Sequence, residues 1–206
     1  RNLSRNRFDF LRKAVMLVDN VLVVSGTEKS VALIMEFLSQ NPFKEIVTVK
    51  NCGEARRLLV ERDFDLCIVN TPLTDEFGVQ FSIHTAMQGI CQVIVLVKSE
   101  LFDEVSSKVE DYGVLTVAKP MNRQVFWSAL KLAAASFRKA VKLKNENEKL
   151  LQKIDDLRLV DRAKCILIQY LKMNEAEAHR FIEKQAMDMR MSKRQIAEGI
   201  LKTYES

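Results

Sequence analysis

Eight basic side chains lie between residues 162 and 194, close enough together in sequence to bind a polyanion. They are Arg162, Lys164, Lys172, Arg180, Lys184, Arg190, Lys193 and Arg194. Arg180 and Lys184 are four residues apart, so on a helix they would share one face. Because lysine and arginine neutralise phosphates and release counterions, this pattern favours a nucleic-acid-binding surface. The alternative is an ordinary solvated face whose cations pair with Glu177, Glu183 and Asp188.

The charge of the chain is concentrated in its last third. Residues 1–137 contain 16 basic and 16 acidic side chains, whereas residues 138–206 contain 16 basic and 11 acidic ones, so the whole net charge of +5 belongs to the second segment. A basic segment that follows a neutral one suggests a polyanionic partner.

Short β-branched runs alternate with helical patterns through the first two thirds of the chain. The pattern predicts strands at 21–24, 46–49, 66–69, 93–97 and 114–117, and helices at 27–40, 53–61, 79–87 and 103–111 and from residue 122 onward. Strands and helices that alternate in this way form a parallel sheet covered on both faces. Five such units predict an α/β flavodoxin-like (βα)5 fold.

Four groups of residues in this region resemble the receiver domain of response regulators. They are the run 51–55 at the start of the second helix, the run 65–70 at the end of the third strand, Gly78, and Lys119-Pro120 after the fifth strand. In the family that this pattern resembles, the third strand ends in an aspartate that accepts a phosphoryl group. An acidic pair after the first strand helps to hold the Mg²⁺ that the reaction needs.

The residues that would carry this phosphoryl chemistry are replaced. Asn70 occupies the acceptor position, and Ser25 and Gly26 occupy the positions of the acidic pair. A carboxamide is a weak nucleophile, and two uncharged residues give Mg²⁺ no anionic ligand, so we expect a degenerate phosphoacceptor site. Lys119 is retained, and we expect it either to hydrogen-bond Asn70 or to serve as a plain surface residue.

A helical pattern without glycine or proline runs from residue 122 to about residue 172, longer than most helices of globular proteins. One heptad frame fits it, with Asn147 at an a position, where paired asparagines fix a two-stranded register. We therefore expect a parallel homodimer. In the alternative, the stretch 133–140 covers the receiver and only 143–157 forms a seam. The frame begins with Ala133 and Ser136, and the predicted dimerisation residues are Ala140, Leu143, Asn147, Leu150, Ile154 and Leu157.

The last 45 residues predict a compact three-helix bundle. Asn174 with Glu177, and Ser192 with Gln195, have the spacing of capping boxes at two helix starts. The sequence from 160 to 204 resembles the ANTAR domain through the runs 161–164, 174–178, 186–187 and 196–198. Domains of that family bind paired stem-loops in nascent leader transcripts, so the resemblance implies an RNA partner and transcription antitermination.

These interpretations divide the chain into four segments. They are an N-terminal extension at 1–18, a pseudo-receiver domain at 19–135, a coiled-coil dimerisation helix at 136–160, and an RNA-binding three-helix domain at 161–206. Several smaller expectations go with them. We expect buried, reduced thiols at the four cysteines, solvated loop acids at Asp75 and Glu76, and core-filling side chains at Met187, Met189 and Met191.

The leading hypothesis is a dimeric RNA-binding antiterminator that is not an enzyme, needs no cofactor or metal, and works in the cytoplasm without a membrane. Because phosphate cannot easily switch it, we expect control by a regulatory protein partner, by abundance, or by RNA-driven dimerisation. One alternative is a protein-interaction module built from the pseudo-receiver and the coiled coil. Another is a DNA-binding response regulator, although its cations would then gather on one recognition helix.

Overall fold

The computed structural model describes residues 18–39, 41–89 and 91–204. It contains five strands, β1 Asn20–Ser25, β2 Glu45–Val49, β3 Leu66–Asn70, β4 Gln92–Lys98 and β5 Leu115–Lys119. All of them are parallel, in the order β2-β1-β3-β4-β5. The predicted flavodoxin-like sheet is therefore confirmed. Residues 1–17, most of the predicted N-terminal extension, lie outside the described residues, as does the predicted helix end at Gln40.

Helices cover both faces of this sheet. They are α1 Glu28–Leu38, α2 Cys52–Glu61, α3 Val79–Gln88, α4 Phe102–Val109 and the first part of α5 Arg123–Leu171. One hydrophobic core lies between the sheet and α2, α3 and α4, and includes Phe81 and Val105. The other core lies on the opposite face against α1 and α5, where Ile34 and Phe126 are fully buried. Strands buried on both faces explain the almost continuous apolar runs in the sequence.

The chain divides into two compact units, residues 1–142 and 143–206, and α5 contributes to both. In the first unit, Ala133, Ala134 and Phe137 of α5 pack into the core on the sheet. The heptad positions before residue 143 therefore serve at least partly to cover the receiver-like unit, as the alternative interpretation of the helix predicted.

The second unit consists of the end of α5 followed by α6 Glu175–Met189 and α7 Lys193–Tyr204. Its core joins Ala163 and Leu167 of α5 to Ile182 of α6 and Ala197 of α7. The predicted capping box is present at the start of α6, because Asn174 accepts from the backbone N–H of Glu177 and the Glu177 side chain accepts from the N–H of Asn174. Both predicted helix starts are confirmed to within one residue. Within the described ranges, no helix is long and apolar enough to cross a bilayer.

Candidate nucleic-acid interface

Asn70 lies at the carboxyl end of β3, directly beside Ser25 at the end of β1. Its side chain donates a hydrogen bond from Nδ2 to Oγ of Ser25 over 3.0 Å and accepts one at Oδ1 from Nζ of Lys119 over 2.9 Å. Asn70 is only 7% exposed. The structure thus brings three of the four predicted phosphoacceptor-site residues into one hydrogen-bonded chain, and both ends of the carboxamide have a partner.

Gly26, the fourth predicted residue, lies against the loop that follows β3. A Cβ atom built on Gly26 would lie 3.2 Å from Cγ2 of Thr74 and 3.7 Å from the carbonyl oxygen of Lys50. A carboxylate at this position would therefore require the Thr74 side chain to shift slightly. The neutral Ser25 and the crowded Gly26 leave the site without the acidic pair that a magnesium-dependent phosphotransfer requires.

Lys119 ends β5 and points its ammonium group at the residues that follow β3. It donates to the Asn70 side chain and also to the backbone carbonyl of Thr71. Burial lowers the pKa of Lys119, and the nearby Lys98 lowers it further. Of the two roles predicted for Lys119, the hydrogen bond to Asn70 is the one present.

Asp75 and Glu76 were expected to be solvated loop acids; Asp75 is exposed as expected, but both side chains also have specific partners. The Asp75 carboxylate accepts hydrogen bonds from the backbone N–H groups of Cys52 and Gly53, over 3.1 and 2.9 Å, at the start of α2. Desolvation alone would raise the pKa of Asp75, but these backbone donors hold it below its usual value. Glu76 forms an ion pair with Arg56 over 2.6 Å. Both acids therefore fasten the β3–α3 loop to α2.

The same loop brings Asp75 and Glu76 within 4.8 Å of the Cys52 thiol, a set of ligand types that can hold a metal ion. Here the carboxylates are already used, by the α2 backbone and by Arg56. Desolvation, followed by the charge of Glu76, raises the pKa of Cys52 and keeps the thiol protonated. We assign this cluster a structural role. Sequence spacing could not reveal it, because Cys52 begins α2 whereas Asp75 and Glu76 lie more than 20 residues later, in the β3–α3 loop.

The cysteine expectation needs one further correction. Cys52 and Cys67 are buried as predicted, whereas Cys91 is half-buried and Cys165 is exposed on α5. Cys165 precedes the buried Ile166 and Leu167, so the helix turns its side chain away from the core of the second unit.

Four of the eight predicted RNA-binding cations are engaged within the second unit. Lys164 pairs with Asp161 over 2.8 Å and with Glu175 over 3.3 Å. Lys193 pairs with Glu183 over 2.6 Å, and Arg194 pairs with Asp156 over 2.7 Å and with Glu198 over 2.8 Å. Arg162 also interacts within the chain. These pairs tie the three helices of the bundle to one another.

The other four cations, Lys172, Arg180, Lys184 and Arg190, are exposed. Among the residues that the structure describes, none of these four side chains has a hydrogen-bond or ion-pair partner. Glu177 caps α6 and Glu183 pairs with Lys193, whereas the exposed Asp188, four residues after Lys184, forms no ion pair within the described residues. Arg180 and Lys184 lie one turn apart on α6, Arg190 directly follows this helix, and Lys172 lies between α5 and α6, three residues before α6 begins.

Lys172 and Arg190 also share an uncommon backbone conformation. Their φ angles are +56° and +53°, in the left-handed region that usually belongs to glycine. Arg190 ends α6, where its N–H bonds to the carbonyl of Met187 and the N–H of Met191 bonds to the carbonyl of Ala186. This is the pattern of a Schellman motif with arginine in the place of its usual glycine. A left-handed non-glycine residue costs about 1–2 kcal/mol.

The three methionines near the end of α6 were expected to fill the core, and the structure contradicts this. Met187 is 79% exposed, Met189 is 58% exposed, and Met191 is also on the surface. The buried residue at this end of the helix is Ala186, which packs with α5 and α7. The apolar character of these methionines therefore did not predict that their side chains are exposed.

Tyr204 and His179 of the second unit both have defined surroundings. The Tyr204 ring packs against the core of the bundle and lies 5.2 Å from the Tyr170 ring, measured between centroids. Tyr204 therefore closes the bundle. His179 lies 3.2 Å from Glu183, which Lys193 also contacts.

The predicted dimer seam is an exposed apolar stripe on α5. Leu143, Leu150, Ile154 and Leu157 are between 45% and 64% exposed, and Asn147 is also exposed. On a helix with 100° per residue these five positions fall within an arc of about 80°. Within the second unit, the core uses other residues of α5, beginning with Leu159 and Val160. The stripe is thus available to a partner.

The chain is similar to known proteins in both its C-terminal domain and its full-length arrangement. Residues 148–201 match the model of the family described as ANTAR domain. The chain is also 27% identical over 169 residues to the "Transcriptional regulatory protein PdtaR" of Mycobacterium tuberculosis, an alignment that covers 82% of each chain. The predicted resemblance of the last third of the chain is therefore confirmed.

The N-terminal fold is that of receiver domains in solved structures. A signal receiver domain of an HD domain-containing protein from Pseudomonas fluorescens superposes with a TM-score of 0.54 at 21% identity, over 61% of this chain and 93% of that one. A CheY-like response regulator receiver domain protein from Methanospirillum hungatei gives a TM-score of 0.52 at 16% identity, over 59% and 98%. At these identities the likeness concerns the fold alone.

Proposed function

We propose that this chain, which carries an ANTAR domain behind a receiver-like domain, is a dimeric RNA-binding transcription antiterminator. In this proposal it binds paired stem-loops of a nascent leader transcript and so prevents a terminator hairpin from forming. The observation that carries the proposal is the pair of exposed cations Arg180 and Lys184 on the ANTAR domain, whose side chains have no partner among the described residues. We retain the predicted segments, with dimerisation at 136–160 and RNA binding at 161–206.

The charge arrangement of the ANTAR domain supports a phosphate-binding face on α6. Lys164, Lys193 and Arg194 form ion pairs that hold the bundle together. These ion pairs would have to break before the three cations could bind RNA phosphates. Arg180 and Lys184 have no such competing partner among the described residues. Cations that are already solvated and unpaired exchange small counterions for RNA phosphates without disturbing the fold. We therefore place the principal phosphate contacts on α6.

Lys172 and Arg190 extend this face to both ends of α6. The helix has 15 residues, so its ends are about 22 Å apart at 1.5 Å per residue. That length suits contacts with successive phosphates of a stem. Strained backbone tends to persist where a side chain has a function that offsets its cost. The left-handed conformation of both cations supports a role for them in binding.

Dimerisation would bring two such faces together, one for each stem-loop. The exposed stripe of Leu143, Leu150, Ile154 and Leu157 has the a and d spacing of a two-stranded coiled coil. An apolar stripe of this regularity is best covered by the same stripe of a second copy, with the two Asn147 side chains paired. A dimer also raises the affinity for a two-loop RNA, because the second contact becomes intramolecular.

The receiver-like domain in this proposal is a scaffold or docking surface that is not phosphorylated in the usual way. Its neutral Asn70 is held by Ser25 and Lys119, and no carboxylate stands at Ser25 or Gly26. Control then falls to a regulatory protein partner, to abundance, or to RNA-driven dimerisation.

The proposal is tested by measuring RNA binding of the full chain. The probe is an RNA with two tandem stem-loops, compared with a single stem-loop and with a DNA duplex of equal charge. We expect salt-sensitive binding that prefers the tandem RNA. The double variant Arg180→Ala with Lys184→Ala should bind more weakly, and its salt slope should fall by roughly one for each phosphate that the variant no longer neutralises.

The matched control removes two exposed cations from the other unit, as Lys29→Ala with Arg57→Ala. This variant has the same net charge as the test variant and should bind like the wild type. If both variants lost the same RNA affinity, the loss would come from the lower net charge and not from the face on α6. The proposed function would be overturned if the wild-type chain did not bind the tandem RNA at low ionic strength, or if it bound the DNA duplex more tightly.

A further inference from the structure

Met187 is the most exposed of the three methionines at the end of α6, with 79% of its surface open to solvent. Its side chain takes no part in the core of the bundle, and its backbone carbonyl alone serves the helix end by accepting from Arg190. An exposed apolar side chain contributes little to the free energy of folding, because little of its surface is removed from water. Its position on α6 indicates what it could contact.

Met187 shares the outer face of α6 with the two unpartnered cations. With 100° per residue, Arg180, Lys184 and Met187 fall within an arc of about 60°. The opposite side of the helix carries the buried Ala178 and Ile182. Met187 is one turn from Lys184 and two turns from Arg180. The face thus combines two free positive charges with one large, soft apolar group.

We infer that Met187 contacts an unpaired loop base of the bound RNA and thereby helps the protein to distinguish loops from paired stems. This inference rests on the proposed function and assigns a specificity-determining residue to it. Sequence-specific RNA recognition uses bases that are unstacked in loops and can lie against flat or apolar side chains. A thioether is polarisable, and its flexible chain adapts to the face of any base.

The neighbouring charges favour a nucleobase over an apolar protein surface as the occupant. A protein patch that covered Met187 would also bring the guanidinium of Arg180 and the ammonium of Lys184 close to apolar groups and desolvate them without a partner. In an RNA loop, phosphates and unstacked bases alternate along the strand at short intervals. The cations can then bind the backbone phosphates while Met187, one turn beyond Lys184, contacts a neighbouring base.

Met189 provides an internal control. It is also an exposed methionine, at 58%, and lies only two residues away, but the helix places it about 160° from Met187. Replacing either methionine by alanine removes the same atoms from the same exposed helix. Only the Met187 variant should affect binding if the contact belongs to the outer face of α6.

The experiment measures dissociation constants of the full-length dimer for two probes. The first is a pool of tandem stem-loop RNAs selected with the wild-type chain from a library with randomised loop bases. The second is a fully paired RNA duplex with the same number of phosphates. We expect Met187→Ala to weaken binding of the selected pool by about fivefold, the lower end of base-stacking effects. Binding of the duplex should not change, and Met189→Ala should match the wild type on both probes.

Further readouts separate a contact from a structural effect. Met187→Leu, which retains apolar bulk, should restore most of the affinity for the selected pool. Hydrogen exchange of residues 150–200 should be the same in all variants. The inference is overturned if Met187→Ala binds the selected pool like the wild type, weakens both probes equally, or alters the mass of the dimer. A wild-type chain that selects no loop RNA would instead contradict the proposed function itself.

Discussion

Lys119 donates a hydrogen bond from Nζ to Oδ1 of Asn70 over 2.9 Å, which joins an ammonium group to a carboxamide where an active receiver would have a phosphorylatable carboxylate. The other end of the carboxamide donates to Oγ of Ser25 over 3.0 Å. The orientation of Asn70 follows from this pair of contacts, because only its oxygen can accept from Lys119. The network therefore satisfies the polar groups of the site without phosphate or metal.

Phosphotransfer chemistry at this site should consequently be absent. We expect the full chain to gain no labile phosphoryl mass near Asn70 when incubated with acetyl phosphate and Mg²⁺, as measured by intact mass and peptide mapping. The amide is a poor nucleophile, and Ser25 and Gly26 offer the cation no negative charge. An acid-stable modification elsewhere would not bear on the site. A labile one in the peptide that contains Asn70 would overturn the pseudo-receiver interpretation.

The same network should contribute to the stability of the receiver-like unit. Asn70→Ala leaves the ammonium of Lys119 and the hydroxyl of Ser25 without their side-chain partner, and we expect a loss of about 1–3 kcal/mol in the free energy of unfolding. Urea unfolding followed by the fluorescence of Trp127, which packs on the same unit, measures this loss. The control Asn145→Ala, at an exposed position of α5, should change stability by less than about 0.5 kcal/mol. Equal effects of the two variants would contradict the assigned role.

Sequence patterns predicted most of this architecture because its elements are strongly periodic or strongly capped. The strands β1, β3 and β4 are buried on both faces, so their apolar runs stand out, and the capping box of Asn174 and Glu177 locates the start of α6. The role of Lys119 stayed open in sequence because its partner Asn70 is 49 residues away. The number of residues between two positions does not show whether their side chains are in contact.

The predictions that were wrong or incomplete concern side chains whose environment depends on tertiary packing. Asp75 binds the first backbone N–H groups of α2, a helix that begins 23 residues before it. Met187 was assigned to the core by residue type, although the narrow space between α6 and its neighbours is filled by the small Ala186. The sequence likewise could not show which of the eight basic residues form the candidate RNA-binding face. Only the observed ion pairs of Lys164, Lys193 and Arg194 distinguish cations that hold the fold from cations that remain available.

The exposed stripe on α5 predicts that one charged residue should dissociate the dimer. Leu150→Glu would place two carboxylates in the seam of a parallel pair, where burial of unpaired charge is strongly unfavourable. We expect the mass measured by light scattering to fall from dimer to monomer at micromolar concentration. Lys149→Glu is the matched control, because it introduces the same side chain one residue earlier, about 100° around the helix from Leu150. This control should remain dimeric.

The direction and register of the two helices can be tested through Asn147. In a parallel, in-register pair, the two copies of this a position face each other, so Asn147→Cys should form an intermolecular disulfide under mild oxidation. The exposed Cys165 is first replaced by serine to remove a competing thiol. A chain that is dimeric but fails to cross-link at position 147 would exclude the parallel register while leaving dimerisation in place.

Arg190 offers a test in which stability and binding should change in opposite directions. Arg190→Gly places the usual residue of a Schellman motif at φ +53°, and we expect it to stabilise the ANTAR domain by about 0.5–1 kcal/mol. The same change removes a cation from the end of α6, so affinity for the tandem stem-loop RNA should fall, with a shallower salt dependence. Arg190→Ala removes the charge without relieving the backbone and should weaken RNA binding equally. Slower hydrogen exchange in residues 175–204 of the glycine variant alone would establish the stability effect. Unchanged RNA affinity in both variants would mean that the strained arginine is not retained for binding.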